Sequence, residues 1–177
     1  PLREGRIIIC DNNWTTKEAK EYYVKIQWFT SQGVVGKATI KLNQRSSLAE
    51  TPLQKKRIVC LALGTVYGLD LQDFDFDNPD LEDGQGRTSC MDFSSTPDDN
   101  IQPNDHDYEQ LEEIYADSVT DFGIRSFDSS GQDGQSTETE NWGEAIRFDS
   151  HGRPTHFRKQ VGENGQITTM VLRDDNP

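Results

Sequence analysis

Histidine is scarce in this sequence, three in 177 residues, and the three fall in two separate regions, at His106 and at His151 and His156. That distribution excludes a set of imidazoles spaced one helical turn apart, the simplest zinc-binding arrangement on a helix. Cysteine is also sparse. Cys10, Cys60 and Cys90 make an odd count, so they cannot all pair within the chain. No Ser-His-Asp or Cys-His arrangement stands out as a nucleophilic machine. Apolar residues make up 32% and the mean hydropathy is -0.81, low for one compact domain, so part of the chain is expected in loops or disorder. No apolar run approaches the roughly 20 residues that a membrane-spanning helix needs. A secretory leader is absent as well, and the chain enters a strand-like run almost at once, the look of a processed or trimmed product.

Positive charge is missing from the middle. Residues 61–140 carry 2 Lys+Arg against 21 Asp+Glu, whereas residues 1–60 carry 11 against 5 and residues 141–177 carry 5 against 5. The sum is the net charge of -13. An acidic middle of this kind argues against a nucleic-acid partner and reads as a solvated surface or a divalent-cation site.

What is present is strand-like at both ends. Arg6-Ile7-Ile8-Ile9-Cys10 is a short β-branched run, read as a buried strand. Tyr22, Val24, Ile26 and Trp28 alternate with Tyr23, Lys25 and Gln27, the pattern of a strand with one wet face, and Val34 to Leu42 is again extended in character. Near the C-terminus, segments 142–148, 155–161 and 166–172 alternate likewise, with turns at 150–153 and at Glu163-Asn164-Gly165. They read as a three-stranded meander that would lean on a main domain. Between, residues 128–140 form a polar linker without core-forming side chains.

The organising stretch is Arg57 to Asp73. Its apolar first half, led in by Thr51-Pro52 and closed by Gly68, predicts a buried helix over residues 52–67. Asp105 is read as the cap of a second helix over residues 106–116, with Tyr108, Leu111 and Tyr115 on one face and Glu109, Glu112 and Glu113 facing water. Gly64, Gly68-Leu69-Asp70 and Gln72-Asp73 stand where the metzincin motif His-Glu-x-x-His-x-x-Gly-x-x-His keeps its glycines and flanks. Thr88-Ser89-Cys90-Met91-Asp92-Phe93 resembles that family's Met-turn, and residues 103–116 resemble its closing helix. Over roughly residues 5–117, the chain resembles the matrixin-like branch of microbial secreted metalloproteases. The resemblance implies an α+β fold: a mixed sheet with a central helix, a Met-turn at Met91 and a C-terminal helix, followed by a small antiparallel meander. The matching division is a domain at 1–122, an acidic linker at 123–140 and an appendage at 141–177.

The chemistry departs from that pattern. The three zinc-ligand positions fall on Leu61, Thr65 and Leu71, and the general-base position on Ala62. Leucine and alanine can neither ligate zinc nor take a proton from a metal-bound water. Zinc is therefore expected to be absent. The packing of a Met-turn beneath the helix in relatives implies a Cys60–Cys90 disulfide and an extracellular setting, leaving Cys10 free or short of a partner. Buried free thiols are the alternative. Asp73, Asp75 and Asp77 have the one-three-five spacing of a calcium loop, but Asn78 and Gly84 replace the glycine and glutamate that complete it. They remain candidate calcium ligands. His151 and His156 lie across one turn without a third ligand. The leading functional expectation is a protease homologue that no longer cuts peptides and serves as a binding or structural module for a protein or peptide, with no membrane or nucleic-acid partner. The alternatives are an active zinc peptidase with relocated ligands and a calcium-stabilised extracellular interaction module.

Overall fold

The structure, a computed structural model, describes residues 5–12, 22–31, 34–43, 46, 51–72, 88–92, 100–116, 142–149 and 151–173. In chain order these give β1 (Arg6–Asn12), β2 (Tyr22–Ser31), β3 (Val34–Asn43), α1 (Pro52–Val66), α2 (Asp105–Tyr115), β4 (Glu144–Phe148), β5 (Pro154–Val161) and β6 (Gly165–Arg173). All six strands belong to one sheet, in the order β1-β3-β2-β6-β5-β4. β1 runs parallel to β3, and every other neighbour is antiparallel.

Register explains how the sheet builds a core. Cross-strand partners carry one row of side chains across all six strands: Ile9, Ile40, Ile26, Met170, His156 and Arg147. The row is apolar through β6 and polar beyond it. α1 lays Ile58, Leu61, Ala62 and Val66 against its apolar part, together with Val24, Ala38 and Leu42, and Leu69, Leu71 and Met91 close the cluster. Each of the leucine, isoleucine, valine and methionine side chains contributes roughly 1.5–3 kcal/mol when fully buried, the alanines less.

α1 begins and ends on recognisable signals. Thr51 caps it, accepting from the Gln54 amide at 3.2 Å while Gln54 Oε1 accepts from the Thr51 amide at 2.8 Å. At the other end the Gly68 and Leu69 amides donate to the carbonyls of Thr65 and Gly64, at 3.1 and 3.0 Å. That closure needs a left-handed residue, and Gly68 has φ +102°. Gly64 has a different reason to be glycine. A Cβ there would overlap the sulfur of Met91, which is fully buried.

The metzincin-like α+β fold with a closing helix and a separate meander is not what the chain adopts. Strand dominates, the described residues hold two helices, and the C-terminal meander supplies half of a single sheet. β6 is the physical reason. Thr168 to Leu172 are all buried, so β6 is covered on both faces, as a central strand is, and it takes β2 as one neighbour and β5 as the other. The wet face expected of β2 is likewise covered: Tyr23, Val24, Lys25 and Ile26 are all buried, and the register slips between Tyr22 and Val24. In α2 the apolar face expected from Tyr108 and Tyr115 is exposed. Leu111 is half-buried, and Asp107 is the buried residue. The linker at 123–140 lies outside the described residues.

Two outcomes test this packing. Gly64→Ala should lower stability by about 1–3 kcal/mol in denaturant melts, although alanine is the better helix former by about 1 kcal/mol. In a Met91→Ala background most of that penalty should vanish, because the clash is with Met91. The Cys60–Cys90 disulfide spans a separation of 30 residues. Replacing both cysteines with alanine should cost about 3–4 kcal/mol on the chain-entropy estimate, read as a lower denaturation midpoint.

Candidate functional site

Two polar clusters border the α1 core. The first joins the 88–92 turn to α2. Ser89 Oγ donates to Asp107 Oδ2 and accepts from the Met91 amide at 2.9 Å. Asp107 also closes the α2 capping box: Asn104 Oδ1 accepts from its amide at 3.2 Å, and its Oδ2 accepts from the Asn104 amide at 2.9 Å. Gln72 Nε2 donates to Asp107 Oδ1 at 3.1 Å and lies 3.3 Å from Nδ1 of exposed His106. A buried carboxylate is costly unless hydrogen-bonded, and this one accepts three hydrogen bonds at a helix N-terminus, where the dipole favours a negative charge. Asp105, the cap expected from sequence, sits one residue too late. The Asn104-x-x-Asp107 box was the signal that could have found the true cap.

The second cluster ties the sheet to the turn after α1. Arg147 Nη1 contacts both carboxylate oxygens of Asp70, at 2.5 and 2.6 Å, and Asp70 Oδ1 also accepts from the Leu71 amide at 3.1 Å. The pair is exposed, so its direct contribution is small. Behind it, His156 is only 7% exposed and its Nδ1 lies 3.0 Å from Thr155 Oγ1. Burial first, and then the charge of Arg147, push the imidazole down to about 4, against a smaller upward pull from Asp70. In the adjoining turn Asp149 accepts from the amides of His151 and Arg153, at 3.0 and 2.8 Å, and from Arg153 Nε at 2.7 Å. Burial pushes the Asp149 carboxyl up, but these donors and the Arg153 charge outweigh it and hold it below its ordinary value.

The residues expected to mark the lost metal site are brought together, as core. Leu61, Ala62 and Leu71 share the hydrophobic cluster with Met91, and buried Thr65 donates its hydroxyl to the Leu61 carbonyl at 3.0 Å, inside its own helix. Cys60 and Cys90 are joined by a disulfide with a Cα–Cα distance of 5.9 Å. Cys10 is a free, exposed thiol. Asp73, Asp75 and Asp77 lie outside the described residues. His151 sits in an exposed turn and His156 in a buried strand position, while Glu109, Glu112 and Glu113 project from the wet side of α2. Among the described residues no three His, Cys, Asp or Glu side chains are grouped to hold a metal ion. No described helix is long and apolar enough to cross a membrane. No protein-family profile, curated protein or solved structure shows significant similarity to the chain.

The neutral burial of His156 gives a pH dependence with a definite sign. The unfolded imidazole holds its proton up to about 6.5, the folded one only below about 4. The unfolded state therefore binds more protons between those values, and stability falls as pH drops through that window. The loss should be at most about 3 kcal/mol, and less to the extent that water reaches the ring. Carboxylates titrate in the lower part of the window, so the measured quantity is the difference in slope between the wild type and His156→Asn. The variant should show the shallower fall of stability between pH 6.5 and 4.

Proposed function

We propose that this chain is a non-catalytic, secreted binding module for a protein or peptide, held together by its Cys60–Cys90 disulfide. The supporting observation is the use made of Leu61, Ala62, Thr65 and Leu71. All four are buried, three of them in the main hydrophobic cluster, and the only polar group among them is engaged with its own helix. A hydrolytic metal needs several donor ligands and one open position, and a general base within reach of the bound water. Here the helix that would carry those groups gives its inward face to packing. The polar residues beside it, Ser89, Gln72 and Asp107, are tied to one another and to the α2 cap, so they hold structure in place rather than offer a reactive group. The disulfide supports the extracellular setting, since such bonds persist in oxidising compartments.

The decisive measurement pairs elemental analysis with peptide cleavage on the purified chain. The expected result is substoichiometric zinc, no cleavage of a mixed fluorogenic peptide library, and a thermal midpoint that a zinc chelator leaves unchanged. Stoichiometric zinc together with chelator-sensitive cleavage would overturn the reading. A midpoint lowered by a calcium-selective chelator alone would instead assign a stabilising calcium to the acidic stretch that contains Asp73, Asp75 and Asp77.

A further inference from the structure

The two edges of the sheet are built differently. β4 is guarded: its register against β5 slips twice, between Ala145 and Arg147 and between Arg147 and Phe148, and it carries the charged, exposed side chains of Glu144 and Arg147. Bulges and charges of this kind deter another strand from adding on. β1 has neither device along its middle. It pairs with β3 in unbroken register from Arg6 to Asn12, and among the described residues β3 is its only neighbour. Its centre is Ile7-Ile8-Ile9-Cys10, with Ile8 39% and Ile9 43% exposed. Ile8 lies on one face of the sheet and Ile9 on the other, so apolar surface stands open on both sides of an edge whose outward backbone groups have no strand partner among the described residues.

We propose that β1 is a docking edge for a second copy of this chain, the two β1 strands pairing antiparallel about a two-fold axis at Ile8. A two-fold axis normal to the sheet keeps each face continuous, so residues directly opposite must lie on the same face. Centred on Ile8, the pairing sets Ile8 against Ile8 of the other copy and Ile7 against Ile9, so that each exposed isoleucine meets an isoleucine. Charge favours the same direction. The strand is basic at its start, at Arg6, and acidic at its end, at Asp11. Antiparallel pairing brings the Arg6 end of one copy to the Asp11 end of the other, with the two side chains on opposite faces of the sheet, whereas parallel pairing would set like charges side by side on one face. A shift of the axis to Ile9 would place Ile7 opposite Asp11, an apolar group against a carboxylate. A peptide of unrelated sequence would meet the backbone of this edge equally well but would not share its matched pattern. The proposal does not depend on the absence of catalysis.

Sedimentation of the full chain across roughly 1–200 μM tests it. Wild type should pass from monomer to dimer in that range, and Ile8→Lys should weaken self-association at least tenfold while keeping the thermal midpoint measured at the dilute, monomeric end of the range, because Ile8 is exposed in the monomer. Phe148→Lys, on the opposite edge, should dimerise like wild type. Cys10→Ser should also dimerise, since the Ile8-centred register places each Cys10 opposite Arg6 rather than opposite its counterpart. In that Cys10→Ser background, Ile8→Cys should give a covalent dimer on mild oxidation. A wild type that stays monomeric throughout, a dimer that survives Ile8→Lys, or one lost on Cys10→Ser would each overturn the proposal.

Discussion

β2 and β6 pair antiparallel from Val24–Leu172 to Ser31–Gly165, and Gln27 Nε2 reaches Thr169 Oγ1 at 3.0 Å across a sequence separation of 142. This pairing makes one sheet out of two halves. Without it β1, β3 and β2 would offer α1 a platform of three strands, and β6 would expose an apolar edge. With it the row through Ile26 and Met170 continues to His156 and Arg147, which is how β4 comes near enough for Arg147 to hold Asp70. Closing so long a loop adds little free energy per doubling of length, but the contact is non-local and is expected to form late. The ends of the chain therefore determine whether its middle can pack.

That middle is held by several unlike constraints at one place. The disulfide fixes the 88–92 turn to α1, Gly64 leaves space for the Met91 side chain, and the Gln72 amide donates to the Met91 carbonyl at 2.9 Å. Asp107 then ties the same turn to α2 through Ser89. Removing a partner from a buried, hydrogen-bonded carboxylate costs more than the bond itself contributes, because the charge is left without compensation. The buried polar residues Ser89, Asn104 and Asp107 are accounted for here by that demand for satisfaction.

Local signals were legible. The Thr51 cap, the Gly68 stop and the three C-terminal strands follow from propensity and periodicity, because each depends on neighbours within a few residues. What was not legible is which strands meet. The meander reads as an appendage because alternation says that a strand has a wet face but not what may cover it. Lys25 shows the difficulty: a lysine marks a solvent face in sequence, yet it lies buried with its ammonium 4.6 Å from the centre of the Trp142 ring, a partner 117 residues away. His156 is similar: in sequence it stands beside a turn without a third metal ligand, and its register opposite Met170 buries it. The fold implied by the family resemblance failed at this same level, since short matching segments fix neither strand order nor the number of layers.

Charge bears on the open edge in a way that composition alone misstates. A net charge of -13 would ordinarily keep copies apart. The carboxylates are concentrated in residues 61–140, however, and among the described residues that segment contributes no strand to the sheet. Beside β1 stand Lys37 and Lys41 of β3, opposite Arg6 and Cys10 in register. If two copies joined through β1, their β3 strands would be three strand spacings apart, about 14 Å. That exceeds the Debye length of about 8 Å at physiological salt, so lysine repulsion across the junction would be largely screened. The terms left to decide the contact are the backbone hydrogen bonds of the two edges and the isoleucines opposed across them, neither of which salt weakens.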